Sequence, residues 1–410
     1  MFSMHERTQR RVCRMAFVFA CAVPTVLTIG WVLYFHRPWQ ERDWQRSVES
    51  ALHVRAELVQ VSAPRPLERE LFNLRLVDLN SSLPLLSVDR LHIHSQQTLA
   101  AEQIDVNRRQ LPALATTISI WLAGSEFQPL SISARQLVFT DETHHSWTFN
   151  NVRAKCEVTA TNVKQIAIQA ELGETTKPLQ ILIERHPDGM VRTTLDTQQA
   201  KLPTWLLADL VPGAGRWDGA TFGGTAQGES NTKEIVGTLR GSIAPIDAQA
   251  WIGKDSPQRV QAQAKLHLEH LNWRDGRIES VQGLLETSAG TASPPLLKAF
   301  QESLLCVLPD ETILSAQEPI KFDQFACRFR LNSGGLTVSG TFPVAGSAGC
   351  LIAAAGKPLV MQPSRSELPL GNFVRVFCPL EQNWLWLPAT VEAIEFAEKL
   401  PLSEANKSRK

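Results

Sequence analysis

The sequence predicts a mainly β protein with an N-terminal transmembrane helix, a long run of antiparallel β-strands and a few short helices. Three observations support this fold class. Residues 15–35 carry no charge and are numerous enough to cross a membrane as a helix. From Val54 onward, apolar residues recur at every second position, which is typical of strands with one buried face. Glycine-containing turns separate these runs, as β-hairpins require.

The composition favours a folded protein that does not bind nucleic acid. The chain has 410 residues, of which 41 are basic and 41 are acidic. Because these charges balance, the positive excess that binds phosphate backbones is absent. Hydrophobic residues make up 43% and charged residues 20%, which is typical of globular proteins. Only the C-terminal tail, residues 401–410, is predicted to be disordered.

Residues 1–14 form a basic tail in front of the apolar stretch. Positive charge collects on the cytoplasmic side of a membrane, so the tail predicts a cytoplasmic N-terminus and export of the remaining chain. The basic side chains are Arg7, Arg10, Arg11 and Arg14. The aromatic side chains near the far end of the stretch, which favour the membrane interface, are Trp31, Tyr34 and Trp39.

A cleaved signal peptide is the alternative interpretation of residues 15–35. The apolar region of a signal peptide is normally about 7–15 residues long and precedes a cleavage site of small residues. Residues 15–35 are longer and lead into HRPWQERDW, which lacks such a site. The sequence therefore favours an uncleaved single-pass anchor, and no later stretch is long and apolar enough for a second span.

Residues 36–53 are predicted to form a membrane-proximal amphipathic helix. Trp44, Val48 and Leu52 recur at intervals of four residues and so share one helical face. This face would lie near the membrane surface or cover the beginning of the sheet. Residues 54–400 then form the β-rich exported domain.

The segment LQILIERHPDGMVRTTLD predicts a β-hairpin. Leu179, Ile181 and Ile183 alternate along the first strand, and Pro187-Asp188-Gly189 supplies the turn. Trp147 to Val158 predicts another strand, in which the apolar positions change from odd to even at Asn150-Asn151. A bulge or turn is expected there.

The segment LHLEHLNWRDGRIESVQG predicts a second hairpin. Leu266, Leu268 and Leu271 mark its first strand, Trp273 follows, and Asp275-Gly276 forms the turn. The uneven spacing of the leucines predicts a β-bulge.

The same cadence returns in IKFDQFACRFRLNSGGLTVSG, where Ile320, Phe322 and Phe325 occupy the matching positions. Such repetition predicts a serial meander, in which each strand lies beside the previous one. Three short helices are predicted between the strands, at Leu202–Pro212, Ser293–Pro309 and Ala389–Leu400.

No motif in the sequence indicates an enzyme, and no catalytic residue, metal or cofactor is expected. The nucleophile elbow, the P-loop, the dinucleotide-binding glycine motif and the HExxH zinc motif are all missing. The glycine-rich stretch 223–228 (GGTAQG) is interpreted as a turn. Residues 141–145 (DETHH) have the composition of a hydrolase or metal loop, but an ordinary hairpin loop is favoured.

Two histidine pairs were considered as metal ligands. His92 and His94 share one face of a strand, where they could bind a metal or simply form the polar face. His267 and His270 lie three residues apart, so they point to opposite faces unless a bulge intervenes. The exported part contains five cysteines, an odd number without metal-binding spacing, and most are expected to be buried apolar residues.

Together these features resemble the AsmA-like family of envelope proteins. The first similar segment is RAELVQVSAPRPLERELFNLRLVDLNSSLPLLSVDRLHIHS, which follows the anchor and the short helix. The second is IKFDQFACRFRLNSGGLTVSGTF, which is similar to the carboxy-terminal pattern of the family. The resemblance implies an elongated, curved antiparallel β-sheet, groove- or taco-like, with an apolar concave face.

The resemblance also implies a function. It places the chain in the inner membrane with its bulk in the periplasm, where it would handle phospholipid and support outer-membrane assembly. Its partners would be phospholipid acyl chains and other envelope proteins. The chain also resembles the single-anchor, β-rich component of type II secretion, which implies a scaffold role instead. The candidate groove residues are Leu179, Ile181, Ile183, Leu266, Leu268, Leu271, Trp273, Ile320, Phe322 and Phe325.

Overall fold

The computed structural model confirms the mainly β fold class, with an N-terminal apolar helix and a few short helices. The chain divides into two compact units, Met1–Glu157 (unit 1) and Val158–Lys410 (unit 2). The structure describes residues 10, 14–35, 42, 45–46, 48–50, 52, 54–65, 68–79, 82–95, 97–125, 127–140, 146–173, 177–207, 211, 217, 219–231, 234–249, 256–344, 347–376, 394 and 397–401.

The N-terminal apolar stretch is helical. A π-helical segment, Val18–Ala22, leads into helix α1, Val23–Phe35. The wider turn directly precedes Pro24, whose ring cannot fit against a regular preceding turn. None of the residues in the window Arg14–Trp31 is buried, and the window is long and apolar enough to cross a membrane, a test that a signal sequence also passes.

The two segments that flank the predicted anchor lie largely outside the described residues. Arg10 and Arg14 of the basic tail are helical. In the predicted helix 36–53, the described positions, such as Val48 and Leu52, are also helical, but Trp44 is outside the described residues. The C-terminal tail falls outside them from residue 402 onward.

After the anchor, the described residues of unit 1 form seven strands and one well-formed helix. Strands β1 and β2 pair with opposite ends of β3, and the order then continues β3–β4–β5–β6–β7. The elements are β1 Arg55–Glu57, β2 Gln60–Arg65, β3 Glu68–Val77, β4 Pro84–Ser95, β5 Thr98–Asn107, α2 Leu111–Ala123, β6 Leu130–Thr140 and β7 Ser146–Val158.

One strand pair departs from the predicted antiparallel pattern. β5 and β6 run parallel, and helix α2 makes the crossover that a parallel pair needs. Helix α2 was not predicted, because β-branched residues such as Thr116 and Ile118 weaken its helical signal. Pro112 in the first turn was the local clue.

The change of parity predicted for β7 is confirmed. Phe149 and Val152 are both buried although they are three positions apart, a spacing that strict alternation would place on opposite faces. Asn151 lies between them with φ of 50°, a left-handed conformation that asparagine tolerates better than most residues. The local twist therefore returns the even-numbered side chains to the buried face.

Unit 2 contains an antiparallel curved sheet and a separate three-stranded sheet. The large sheet runs β8–β9–β10–β12–β13–β15–β16–β20 as a serial meander, and the small sheet is β14–β17–β19. In chain order, the first strands of unit 2 are β8 Lys164–Leu172, β9 Leu179–Arg185, β10 Val191–Asp196, β11 Leu202–Pro203, β12 Thr221–Ser230, β13 Ile235–Asp247, β14 Val260–Gln261 and β15 Gln263–Arg274. The later strands are β16 Arg277–Thr287, β17 Gly290–Ala292, β18 Cys306–Val307, β19 Ile320–Phe322, β20 Gln324–Asn332, β21 Gly335–Gly340, β22 Phe342–Val344, β23 Ser347–Ala354 and β24 Lys357–Pro363.

Both predicted hairpins of unit 2 are confirmed. Gly189 has φ of 89° in the turn between β9 and β10. Asp275 and Gly276 have φ of 48° and 72° between β15 and β16, the pattern of a two-residue type I′ turn. The Asp275 carboxylate also accepts a 2.9 Å hydrogen bond from the Ile235 amide, which ties the turn to the neighbouring strand.

The helices of unit 2 agree only in part with the predictions. Helix α3, Pro294–Leu304, is capped by Ser293, whose hydroxyl accepts from the Leu296 amide, and it ends at Leu305 in a left-handed conformation. The predicted helix Leu202–Pro212 is instead a short strand followed by a 3₁₀ turn at Thr204–Leu207, before residues outside the described set. A further short helix, α4, spans Leu370–Arg375.

The interpretation of 223–228 as a turn was wrong. These residues belong to β12, where Gly224 lies directly opposite Gly241 of β13. Their φ values are 156° and 144°, and a Cβ on Gly224 would meet the Arg240 carbonyl oxygen and the Gly241 α-carbon. The glycines therefore allow two backbones to approach where no side chain fits.

Replacing Gly224 by alanine should lower the free energy of unfolding by about 2–3 kcal/mol, because the methyl group would clash with fixed backbone atoms. Gly228→Ala is the matched control on the same strand, since its Cβ would have only the Val236 carbonyl oxygen, at 4.0 Å, as a neighbour. Urea unfolding of the two variants measures the difference. Equal stability would contradict a close approach of the strands at Gly224.

Candidate functional site

A partly enclosed cavity of about 600 Å³ lies in unit 2. We call it the unit 2 cavity. Its lining comes from β15, β16, β20, β21 and β23 of the large sheet, from α3 and α4, and from the small sheet. Nearly all of the lining side chains are apolar. Its size and chemistry are those of sites that bind small organic molecules.

The floor of the unit 2 cavity is built from rows of side chains that cross the large sheet. In the first row, Leu271, Val281, Leu331 and Leu336 are successive partners on four neighbouring strands. All four are buried and line the cavity. Ile278, which lies between this row and the turn at Asp275-Gly276, also lines the cavity, so this end of the cavity is on the side of that hairpin.

Three further rows follow with increasing distance from the hairpin. The second contains Leu268 and Phe329, the third Leu266 and Cys327, and the fourth begins with Ala264. The other side chains of these rows that line the cavity are Val338 in the second row, Leu285 in the third, and Thr287, Phe325 and Ile352 in the fourth.

A β-bulge keeps the three leucines of β15 on the same face. The pairing of β15 with β16 shifts between Leu268 and His270, so one extra residue stands on β15. As predicted, the bulge restores Leu271 to the face of Leu266 and Leu268. Gly283 is the partner of Leu268, and a Cβ there would collide with the His267 carbonyl oxygen.

Helix α3 and the small sheet supply another part of the lining. Leu296, Phe300 and Leu304 stand four residues apart on α3, so they share the helical face that lines the cavity. From the small sheet, Ala292 and Phe322 also line it. Leu297, one residue further along α3, has no exposed surface and does not line the cavity.

Charge is confined to one part of the described lining. Glu398 and Lys399 are exposed and are its only ionisable acid and base apart from the Cys327 thiol. The Lys399 Nζ atom lies 3.9 Å from where a Cβ on Gly276 would stand, which places this ammonium group beside the β15–β16 turn. The hairpin end of the unit 2 cavity is therefore its polar end.

Five of the ten predicted groove residues line the unit 2 cavity. The five residues are Leu266, Leu268, Leu271, Phe322 and Phe325. Trp273 is buried, but its indole packs against Gly237 on β13. Ile320 is half-buried at the edge of the small sheet, where it pairs with Ala292.

The remaining three candidates lie on β9 and do not line the cavity. Leu179 is buried, whereas Ile181 and Ile183 are half-buried. The cross-strand partners of Ile181 are Ile168 and Leu195. Alternation identified these positions as one face of a strand, but a different part of the sheet surrounds them.

The described cysteines Cys156, Cys306, Cys327 and Cys350 are buried free thiols. Burial raises the pKa of Cys306 and of Cys327 to about 12, and the proximity of Cys306 adds to the effect on Cys327. Burial raises the pKa of Cys156 to about 11. These groups stay protonated at neutral pH and serve as small apolar residues, as expected.

The histidine pairs occupy ordinary strand positions. His92 and His94 share one face, as predicted, with stacked rings 6.1 Å apart, and Glu70 lies 3.1 Å from His92. The bulge between Leu268 and His270 places His267 and His270 on the same face, opposite the leucines, so the expectation of opposite faces was wrong; His267 is exposed and His270 half-buried there. Within the described ranges, no group of three metal-ligating side chains is close enough to hold an ion. Residues 141–145 lie outside the described residues.

Comparisons with protein-family models, with curated proteins and with solved structures found no match to this chain.

Proposed function

We propose that this chain is a membrane-anchored, non-enzymatic envelope protein that handles lipid by holding acyl chains in the unit 2 cavity. The observation that carries the proposal is the apolar floor of four cross-strand rows, joined to an apolar face of α3. Transfer of an acyl chain from water into such a lining gains about 0.8 kcal/mol for each methylene group. A lining without fixed polar partners suits this ligand better than a polar metabolite.

The N-terminal helix supports the membrane part of the proposal. Arg14–Trp31 has the length and composition of a span, and the preceding arginines favour a cytoplasmic N-terminus. In the proposed arrangement the helix crosses the inner membrane once, and the strands of both units lie in the periplasm. Acyl chains would then enter from phospholipids or their derivatives, in the manner that the AsmA-like resemblance implies.

Photolabelling in cells tests the proposal. Cells that produce the full chain are fed a diazirine fatty acid, which they incorporate into all of their lipid classes. After irradiation, we expect labelled peptides from β15 and β20 as well as from the N-terminal helix. The helix is the internal control for exposure to lipid. Labelling of the helix without any labelling of the cavity-lining strands would overturn the proposal.

A scaffold role in an envelope or secretion assembly is the second candidate, and helix α2 of unit 1 favours it. The sequence LPALATTISIWLA carries no charge, yet within it only Leu122 is buried and Ile120 is 42% exposed. An apolar face of this kind is suited to a protein partner. Cross-linking in cells from position 120 should trap a defined protein if this role is correct, and trapping of lipid alone would exclude it.

A further inference from the structure

The dimensions of the unit 2 cavity limit the kind of lipid that it can hold. We infer that its ligand is a single-chain lipid with an oxyanion in its headgroup, such as a fatty acid or a lysophospholipid, rather than an intact diacyl phospholipid. This inference rests on the proposed function, because it specifies the ligand of the same cavity.

The volume of the unit 2 cavity suits one acyl chain. The cavity measures about 600 Å³. Pockets of about 300–1,000 Å³ enclose one small organic ligand, and this cavity lies in the middle of that range. One acyl chain fits within this volume. A diacyl phospholipid brings two chains and a glycerol backbone, which together need roughly twice the space.

The length of the cavity floor also suits one acyl chain. Neighbouring rows of the floor are two residues apart along β16, so the four rows are separated by three steps of two residues. The spacing along β15 is the same except at the bulge, which adds one residue. At ~3.4 Å for each residue, these steps add up to about 20 Å. An acyl chain that spans one leaflet of a ~30 Å hydrocarbon core needs about 15 Å. The floor therefore has the length of one extended chain.

The position of charge gives the ligand a direction. Lys399 stands beside the turn at Gly276, at the end of the floor where Ile278 and then Leu271 lie. Its ammonium group is placed to meet a carboxylate or phosphate there, while the chain extends towards Ala264. The Glu398 carboxylate also lines the cavity and balances the charge of Lys399. A carboxylate there suits the amine of a phosphoethanolamine headgroup. Thr287, at the other end, already donates its hydroxyl hydrogen to the Ser288 carbonyl.

Three photoactivatable probes applied to the purified full chain in nanodiscs test the inference. The probes are a fatty acid, a lysophosphatidylethanolamine and a diacyl phosphatidylethanolamine, each with a diazirine near the end of an acyl chain. Labelled residues are located by peptide mass spectrometry, and labelling of the N-terminal helix confirms that each probe has reached the protein. We expect the single-chain probes to label β15 and β20 at least tenfold more than the diacyl probe does. The ratio of the two single-chain probes identifies the headgroup.

The outcomes separate the inference from the proposed function. Equal or stronger labelling of these strands by the diacyl probe would overturn the inference and leave the proposed function intact. Labelling confined to the N-terminal helix with all three probes would overturn both.

Lys399→Gln provides an independent test of the headgroup assignment. Because exposed ion pairs contribute little, the variant should lose about threefold in labelling by the fatty acid probe. Lys321→Gln is the matched control, since Lys321 is exposed and does not line the cavity, although its neighbour Phe322 does. Equal labelling of the two variants and the parent chain would remove Lys399 from the site.

Discussion

Ala264→Trp should reduce binding of an acyl chain by roughly 30-fold while leaving unit 2 folded. Ala264 is a buried residue of β15 whose small side chain forms part of the last row of the cavity floor. An indole at this position would take the place of two or three methylene groups of the ligand. At ~0.8 kcal/mol for each, the loss is about 2 kcal/mol, which corresponds to roughly 30-fold in affinity.

Lys265→Trp is the matched control for this variant. Lys265 is the next residue of β15, and its exposed side chain lies on the other face of the sheet, where its cross-strand partner is Glu286. The same indole should leave binding unchanged there. Fatty-acid photolabelling of β20 compares the two variants. Equal labelling by both would show that the acyl chain lies elsewhere.

A stability measurement separates blocked binding from misfolding. Overpacking of a core position commonly costs 1–3 kcal/mol, so the melting temperature of Ala264→Trp should fall modestly. Val338 lines the cavity from β21, in the row of Leu268 and Phe329. Val338→Phe is a milder variant, because it adds less volume than Ala264→Trp. Its binding should fall in the same direction, because it narrows the same space. Unchanged binding in this variant would contradict the position of the second row.

The parts of the fold that sequence analysis predicted correctly are those with a local cause. Asp275-Gly276 defines its turn because only a few residue types tolerate positive φ at both central positions. The spacing of Leu266, Leu268 and Leu271 defines the bulge because a strand alternates strictly otherwise. Ser293 identifies the start of α3 through the hydrogen bond of its own side chain.

The parts that sequence analysis missed depend on contacts between distant segments. Gly224 resembles a turn residue until its partner Gly241, on the next strand, is known. Ile320 and Phe322 have the same parity and both lie on β19 of the small sheet, but only Phe322 reaches the unit 2 cavity. Alternation shows that a face is buried, but it does not show whether helix, sheet or ligand covers it.

Contacts with distant segments also decide which face of helix α3 lines the unit 2 cavity. Its apolar stripe is visible in the sequence, and the helix was predicted at this position. Which of those side chains line the unit 2 cavity depends on the rotation of the helix about its axis. Leu296 and Phe300 line the cavity, whereas Leu297 is fully buried away from it. The same helix therefore directs Leu296 and Phe300 into the cavity and Leu297 into the surrounding core.

Replacing Leu297 by alanine should lower the free energy of unfolding of unit 2 by roughly 3–5 kcal/mol. The parent side chain has no exposed surface, so its removal loses buried apolar area and leaves a void that the surrounding helix and strands fill only partly. Lys298→Ala is the control on the next residue. Lys298 is exposed and 3.7 Å from Glu302 one helical turn away, so its loss should cost less than about 0.5 kcal/mol.

Addition of ligand shows whether Leu297 acts on stability alone. A ligand at 100 times its dissociation constant raises the free energy of unfolding by about 2.7 kcal/mol. Leu297 does not line the cavity, so Leu297→Ala should recover close to this amount in urea unfolding with a fatty acid, as Lys298→Ala should. Ala264→Trp should recover almost nothing at the same ligand concentration. Failure of Leu297→Ala to recover would mean that the rotation of α3 is lost with this side chain, and that Leu296 and Phe300 no longer face the ligand.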